Sequence, residues 1–125
     1  MRNLIHFIST NWLVITAVII SSITVLSLTP LDELPAAPGS DKLHHLIAYA
    51  ALVTPLALRK PKYWWFIVIF FLAYSGLVEL IQPYVNRYGE WLDMAANSLG
   101  LFCGLLIAEL LSFIFPARLS RSDQQ

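Results

Sequence analysis

Three stretches of this 125-residue chain carry side chains able to do acid–base or ligand chemistry. The first reads Asp41-Lys42-Leu43-His44-His45-Leu46-Ile47-Ala48-Tyr49. On a helix, Asp41, His45 and Tyr49 are four apart and share one face, while His44 points about 100° away. Asp41 at the helix start also suits the N-terminal dipole; the competing reading is an interfacial cap with snorkelling side chains. The second stretch ends a long apolar run with Glu79-Leu80-Ile81-Gln82, which sets Glu79 and Gln82 one turn apart just before Pro83. A carboxylate at the edge of hydrocarbon is costly unless it is paired or faces water, so Glu79 is either functional or matched to Arg87, Lys42 or a histidine. The third stretch runs from Asn86-Arg87 through Asp93, Asn97, Gly100 and Gly104, the last four forming one helical stripe. Its outer half is polar and its inner half is a GxxxG, a pattern for close helix approach and a candidate contact between copies of the chain.

These residue types suggest two chemistries. In an enzyme, His45 serves as general acid or base, oriented by Asp41 or Asp93, with Glu79 as a second acid–base group and Arg87 neutralising a phosphate. In a binding protein, Arg87 and Lys42 receive an anionic headgroup, Tyr49, Gln82 and Asn97 complete the pocket, and Tyr84, Tyr88 and Trp91 form its rim. A metal version would use His45, Glu79 and Asp93. The sequence has no short metal-ligand spacing and its adjacent histidines diverge on a helix, so neither a metal nor another cofactor is expected. Ser98 is the only serine or cysteine among the polar outer parts of these stretches, which disfavours covalent catalysis and leaves water-mediated hydrolysis or transfer. The single cysteine, Cys103, rules out a disulfide framework and reads as packing.

The elements that must position these groups are membrane helices. The chain is 58% hydrophobic and 13% charged, against about 25% charged in ordinary soluble domains. Eight basic and eight acidic residues leave no basic surplus for nucleic acid. Trp12–Thr29 has no ionisable side chain and ends at Pro30. It exceeds the h-region of a signal peptide, lacks a following A-x-A site, and reads as a retained span. A stiff loop with Pro30, Pro35, Pro38 and Gly39 follows, then a second span whose first turn is polar, the basic turn Arg59-Lys60-Pro61-Lys62, a third span opened by Tyr63, Trp64 and Trp65, a polar loop over 83–91, and a fourth span. The expected fold is all-α, a single-domain integral membrane bundle of four transmembrane helices over about 11–29, 41–58, 63–82 and 92–115.

Orientation follows from lysine and arginine in short loops. Arg2, Arg59, Lys60, Lys62, Arg118 and Arg121 fall on one side, and only Lys42 and Arg87 on the other. Both termini are therefore expected in the cytoplasm, with the 30–41 and 83–91 loops facing outward. The zero net charge splits into −4 outside (six acids, two bases) and +4 inside (six bases, with Glu109 and Asp123). Asp41, His45, Glu79, Gln82, Arg87, Asp93 and Asn97 then share the outer end of the bundle, a polar pocket open to the outer leaflet. Glu109 is expected to snorkel or pair within the bundle, Ser75-Gly76 to kink the third span, and His6 to be interfacial.

The ordered set Asp41-Lys42-x-x-His45-x-x-x-Tyr49, Glu79-x-x-Gln82 and Arg87-x5-Asp93-x3-Asn97-x2-Gly100 resembles the VanZ-like family, named for a teicoplanin-resistance protein of glycopeptide-resistant bacteria. The resemblance covers residues 41–104. It implies a small multi-pass protein of the bacterial inner membrane, with an effect on teicoplanin sensitivity. Two departures stand out: Val85-Asn86 precedes Arg87 where many members have Pro-Gly, and His44 adds a second imidazole beside His45. The expected partners are the bilayer and an anionic lipid or lipid-linked cell-wall precursor. The expected function is binding such a lipid. The alternatives are acid–base hydrolysis or transfer on a lipid phosphate, and a structural or transport subunit, which the confinement of polar residues to one leaflet disfavours.

Overall fold

The computed structural model describes residues 1–34 and 38–116; of Leu31 only the backbone is described. Arg118, Arg121 and Asp123, counted above toward the cytoplasmic side, lie outside the described residues. The described residues are helical, without strands: α1 (Arg2–Thr10), α2 (Trp12–Leu28), a single 3-10 turn (Leu31–Glu33), α3 (Asp41–Arg59), α4 (Trp64–Ile81), a second 3-10 turn (Gln82–Val85) and α5 (Trp91–Ile114).

The four apolar runs become α2, α3, α4 and α5, each within about two residues of its expected bounds. Helix α1 was not expected. Asn11, with φ −99° and ψ 22°, breaks the chain between α1 and α2, and its side-chain amide donates to the Phe7 carbonyl at 2.9 Å. The two helices meet at 78°. Ile5 of α1 is buried while Leu4, His6 and Phe7 remain exposed.

Helix α3 starts at Ser40, whose hydroxyl accepts the Leu43 N–H, and stops at Lys60 in the left-handed conformation at φ 46°. It runs through the buried Pro55, which forfeits one main-chain bond to the preceding turn. Helix α3 carries the most buried positions of the bundle, among them Tyr49, Leu52, Val53 and Leu56. Its main partner is α5, and the two run parallel. Lys42 meets Asp93, Leu46 meets Gly100, Ala50 meets Gly104, and at the far end Lys60 pairs with Glu109. The pairing expected for Glu109 is therefore with Lys60. Helix α4 returns antiparallel to α5, Ser75 against Asn97 and Gly76 against Met94. Helix α2 runs with α4, Thr24 against Tyr74 and Ser27 against Gln82.

A side chain on Gly100 would strike the Leu46 main-chain carbonyl, and one on Gly104 would strike Val53 and the Ala50 carbonyl. The glycine stripe thus faces α3 of the same chain. Both glycines are buried there, so the stripe expected as a contact between copies is already occupied within the bundle.

Two helices are long and apolar enough to cross a membrane, α4 with its following turn (Trp64–Val85) and α5; the bent pair of α1 and α2 makes a third candidate. The four expected spans exceed that number for a physical reason. Helix α3 opens with Asp41, Lys42, His44 and His45, and its interior position means that protein, not lipid, surrounds much of it. The outward faces of α4 and α5 are apolar, with Phe66, Phe70, Leu77, Leu99, Phe102 and Leu106 about half exposed. The polar side chains His45, Ser75, Glu79, Gln82, Asp93 and Asn97 are buried. This inside-out distribution is that of a membrane protein.

Candidate functional site

His45 is the centre of the polar cluster. It lies one turn inside α3, 8% exposed, on the face that meets α5. Its Nδ1 is 2.9 Å from Oδ1 of Asn97, and Nδ2 of Asn97 donates to Ser75 Oγ at 2.8 Å. This chain crosses three helices with buried groups, and it fixes the ring. With Asn97 giving its N–H to Ser75, its carbonyl oxygen accepts from Nδ1 of His45, so Nε2 is the free position. That Nε2 faces two carboxylates: Asp41 Oδ2 at 3.9 Å, one turn earlier on α3, and Asp93 Oδ2 at 4.0 Å on α5. Asp41 has a half-exposed side chain, whereas Asp93 is 2% exposed and its Oδ1 has no hydrogen-bond donor. His44 points elsewhere, its Nε2 2.8 Å from the Pro38 carbonyl oxygen, so His45 is the histidine of the cluster.

Lys42 bridges the cluster to the loop before α5. Its ammonium donates to Glu90 Oε2 at 2.8 Å and stands 3.4 Å from Asp93 Oδ1. Glu79 closes the opposite side. Its Oε2 accepts the Glu90 main-chain N–H at 3.2 Å, and its Oε1 is buried without a donor. No cationic side chain among the described residues lies within 4.0 Å of Glu79, so the pairing with Arg87, Lys42 or a histidine that could have explained it is not made. Gly89 lets the loop approach here: a side chain on it would collide with the Glu79 main-chain carbonyl. The Tyr49 hydroxyl is buried one turn deeper, also without a hydrogen-bond partner.

Two expected binding residues have turned toward α2. Arg87 is 8% exposed, and its Nη1 donates to the carbonyls of Leu26 at 3.0 Å and Thr29 at 3.4 Å. It reaches the cluster only through Asp41 Oδ1, at 3.9 Å. Gln82 Nε2 donates to the Ser27 carbonyl at 3.3 Å. Together they take carbonyls from the C-terminal turn of α2, which has no capping glycine. Ser75 was expected to kink α4 but sits in an unbroken helix, fully buried, as the anchor of Asn97. Its spacing could have revealed it, because Ser75, Glu79 and Gln82 share one face of α4.

A cleft of about 580 Å³ lies between α4, α5 and the loop that joins them. Ala73, Gly76, Leu77, Leu80 and Met94 line its walls, and Glu79 and Glu90 stand at its polar end. Its volume lies in the range of small-molecule sites. Its walls are mostly apolar.

The residues brought to one end of the bundle thus come from α3, α4 and α5 in the order and at the spacings of the sequence pattern. The VanZ/LLP1 family profile matches residues 1–112, nearly the whole chain. The chain belongs to the VanZ/LLP1 family. No curated protein and no solved structure matches it. In this VanZ/LLP1 protein the loop before Arg87 lacks Pro-Gly and turns at Asn86 instead. Asn86 adopts the left-handed conformation at φ 57° and ψ 40°, and asparagine tolerates that region better than any residue but glycine. The turn closes with Arg87 N–H on the Gln82 carbonyl at 3.1 Å, which aims Arg87 at α2.

Proposed function

We propose that this VanZ/LLP1 protein holds an envelope lipid or lipid-linked cell-wall precursor at the outer face of a bacterial inner membrane, with its tail between α4 and α5 and its headgroup at the His45 cluster. The observation that carries this reading is the cleft: it opens along the lipid-facing sides of two membrane helices and ends at Glu79, whose Oε1 is buried and has no donor. Hydrocarbon in the cleft replaces bilayer contacts, and a headgroup hydroxyl or ammonium supplies the missing donor. Lys42, half exposed beside Glu90, offers the ammonium for an anionic group. An effect on teicoplanin sensitivity would follow from sequestering or altering such a lipid.

Four spans with both termini in the cytoplasm suit this site. Helix α3 stays in register with α5 from Lys42–Asp93 to Lys60–Glu109, about 27 Å of helix, which supports a crossing by α3 beside α5. A reporter fused to the C-terminus should read cytoplasmic. A periplasmic reading overturns the outward placement of the cluster.

An acid–base reaction on the headgroup is the second reading. It is favoured by the free Nε2 of His45, which faces Asp41 and Asp93 with its ring oriented by Asn97.

The lipid reading is tested by native mass spectrometry of the purified protein. Gly76→Leu places a side chain in the cleft, and Ala73→Phe does so independently. Each should reduce retained lipid about tenfold, the effect of displacing a few methylene groups. Equal retention in wild type and both variants overturns the cleft as the tail site.

A further inference from the structure

We infer that Asp41, His45 and Asp93 form a binding site for a divalent transition-metal cation of the manganese or zinc type. The donor atoms of the three residues lie within 4.8 Å of one another. The two distances from His45 Nε2, 3.9 and 4.0 Å, are about half an ångström longer than the ~3.4 Å between two ligands each about 2.1 Å from a tetrahedral ion, so binding draws the three side chains together. Asp41 is half exposed, with Arg87 3.9 Å from its other oxygen, and has room to move toward His45. The sequence had set a metal aside for want of short ligand spacing, but ligands separated by half the chain converge once α3 lies against α5.

The cluster has a feature that ordinary acidic patches lack. With Nδ1 of His45 donating to Asn97, Nε2 of the neutral imidazole presents a lone pair, and it faces two carboxylates that have only lone pairs to offer. Three acceptors converging without a hydrogen between them require a cation or an added proton. The second observation is Asp93: almost wholly buried, with Oδ2 4.0 Å from His45 Nε2 and Oδ1 turned the other way, 3.4 Å from the Lys42 ammonium. A carboxylate so placed carries a full desolvation cost unless a positive charge meets it. Lys42 meets that need on the Oδ1 side, 3.4 Å away and itself hydrogen-bonded to Glu90; Oδ2, the atom that faces the histidine, has no cationic side chain but His45 within 4.0 Å among the described residues.

Metal-binding histidines have their remote ring N–H held by an oxygen acceptor that is itself anchored, and Asn97, bonded to Ser75, holds Nδ1 of His45 in this way. One imidazole nitrogen with two carboxylates suits Mn²⁺ or Zn²⁺ better than Mg²⁺ or Ca²⁺, which favour all-oxygen sets. The open side of such an ion would face the half-exposed Asp41. The inference deepens the lipid reading. A cation here gives a headgroup phosphate the positive partner that Arg87, turned to α2, does not.

The test uses the full chain in detergent or nanodiscs, stripped with EDTA and titrated with MnCl₂ alone, free Mn²⁺ being read by electron paramagnetic resonance with ZnCl₂ as competitor. One Mn²⁺ per chain, displaced by Zn²⁺, is expected. Asp41→Asn removes a half-exposed ligand while Arg87 keeps its bonds to the Leu26 and Thr29 carbonyls, and should weaken binding about tenfold or more. Asn97→Leu, which touches the ion only through His45, should weaken it about tenfold to a hundredfold. No stoichiometric binding by wild type, or equal affinity in wild type and Asp41→Asn, overturns the site. So does ¹⁵N NMR showing both nitrogens of His45 protonated and unchanged by metal, since a proton then fills the space. Lipid retention measured after EDTA separates the two proposals. Retained lipid without Mn²⁺ binding sinks the cation and leaves the cleft standing.

Discussion

Gly100→Leu should cost the bundle about 3 kcal/mol or more, seen as a fall of roughly 10 °C in the thermal unfolding midpoint of the detergent-purified protein. The cost arises because the atom that a new side chain meets is the Leu46 main-chain carbonyl of α3, which cannot rotate away. Helix α3 would have to move off α5, and with it the contacts of Lys42 and His45 to Asp93 and Asn97. Even Gly100→Ala should be damaging. Gly76→Ala provides the contrast: its methyl would stand 3.4 Å from the flexible end of Met94, and alanine favours the helix by up to about 1 kcal/mol, so the midpoint should hold or rise. An unchanged midpoint for Gly100→Leu would overturn the α3–α5 register. A change confined to oligomeric state would return the glycine stripe to a contact between copies.

Arg87→Met should destabilise the protein by about 2–4 kcal/mol whether or not lipid is bound. Its guanidinium donates to the Leu26 and Thr29 carbonyls, beside Gln82 on Ser27, where α2 ends in an extended Thr29 and then Pro30. Removing it leaves those oxygens to find other donors at the edge of hydrocarbon and frees α2 from the loop that precedes α5. Arg87→Lys should recover only part of the loss, because a single ammonium does not reproduce the fork. Thermal midpoints of delipidated and lipid-loaded protein decide the matter. Destabilisation confined to the lipid-loaded form would make Arg87 a headgroup ligand after all.

The sequence was informative wherever a residue's position followed from its own helix. The apolar runs located α2, α4 and α5, and helical spacing with alternating direction placed Asp41, His45, Glu79, Asp93 and Asn97 at one level. It could not choose between His44 and His45, since adjacent residues differ only in the face they present, and which face is inside depends on where α5 lies. Ser75 read as a kink because a Ser-Gly pair in isolation is a helix weakener. Its buried bond to Asn97 exists only once α4 is folded back.

What the sequence by itself determined is the class of molecule: hydropathy is a local property, and residues that lipid would reject must gather away from it. What only the tertiary structure decided is which of those polar groups engage one another. Arg87 and Gln82 went to the carbonyls of α2, Gly100 and Gly104 to α3, and His45 was left with two carboxylates across from its free nitrogen. Those pairings depend on distances of a few ångströms between helices far apart in the chain, and no spacing along the sequence encodes them.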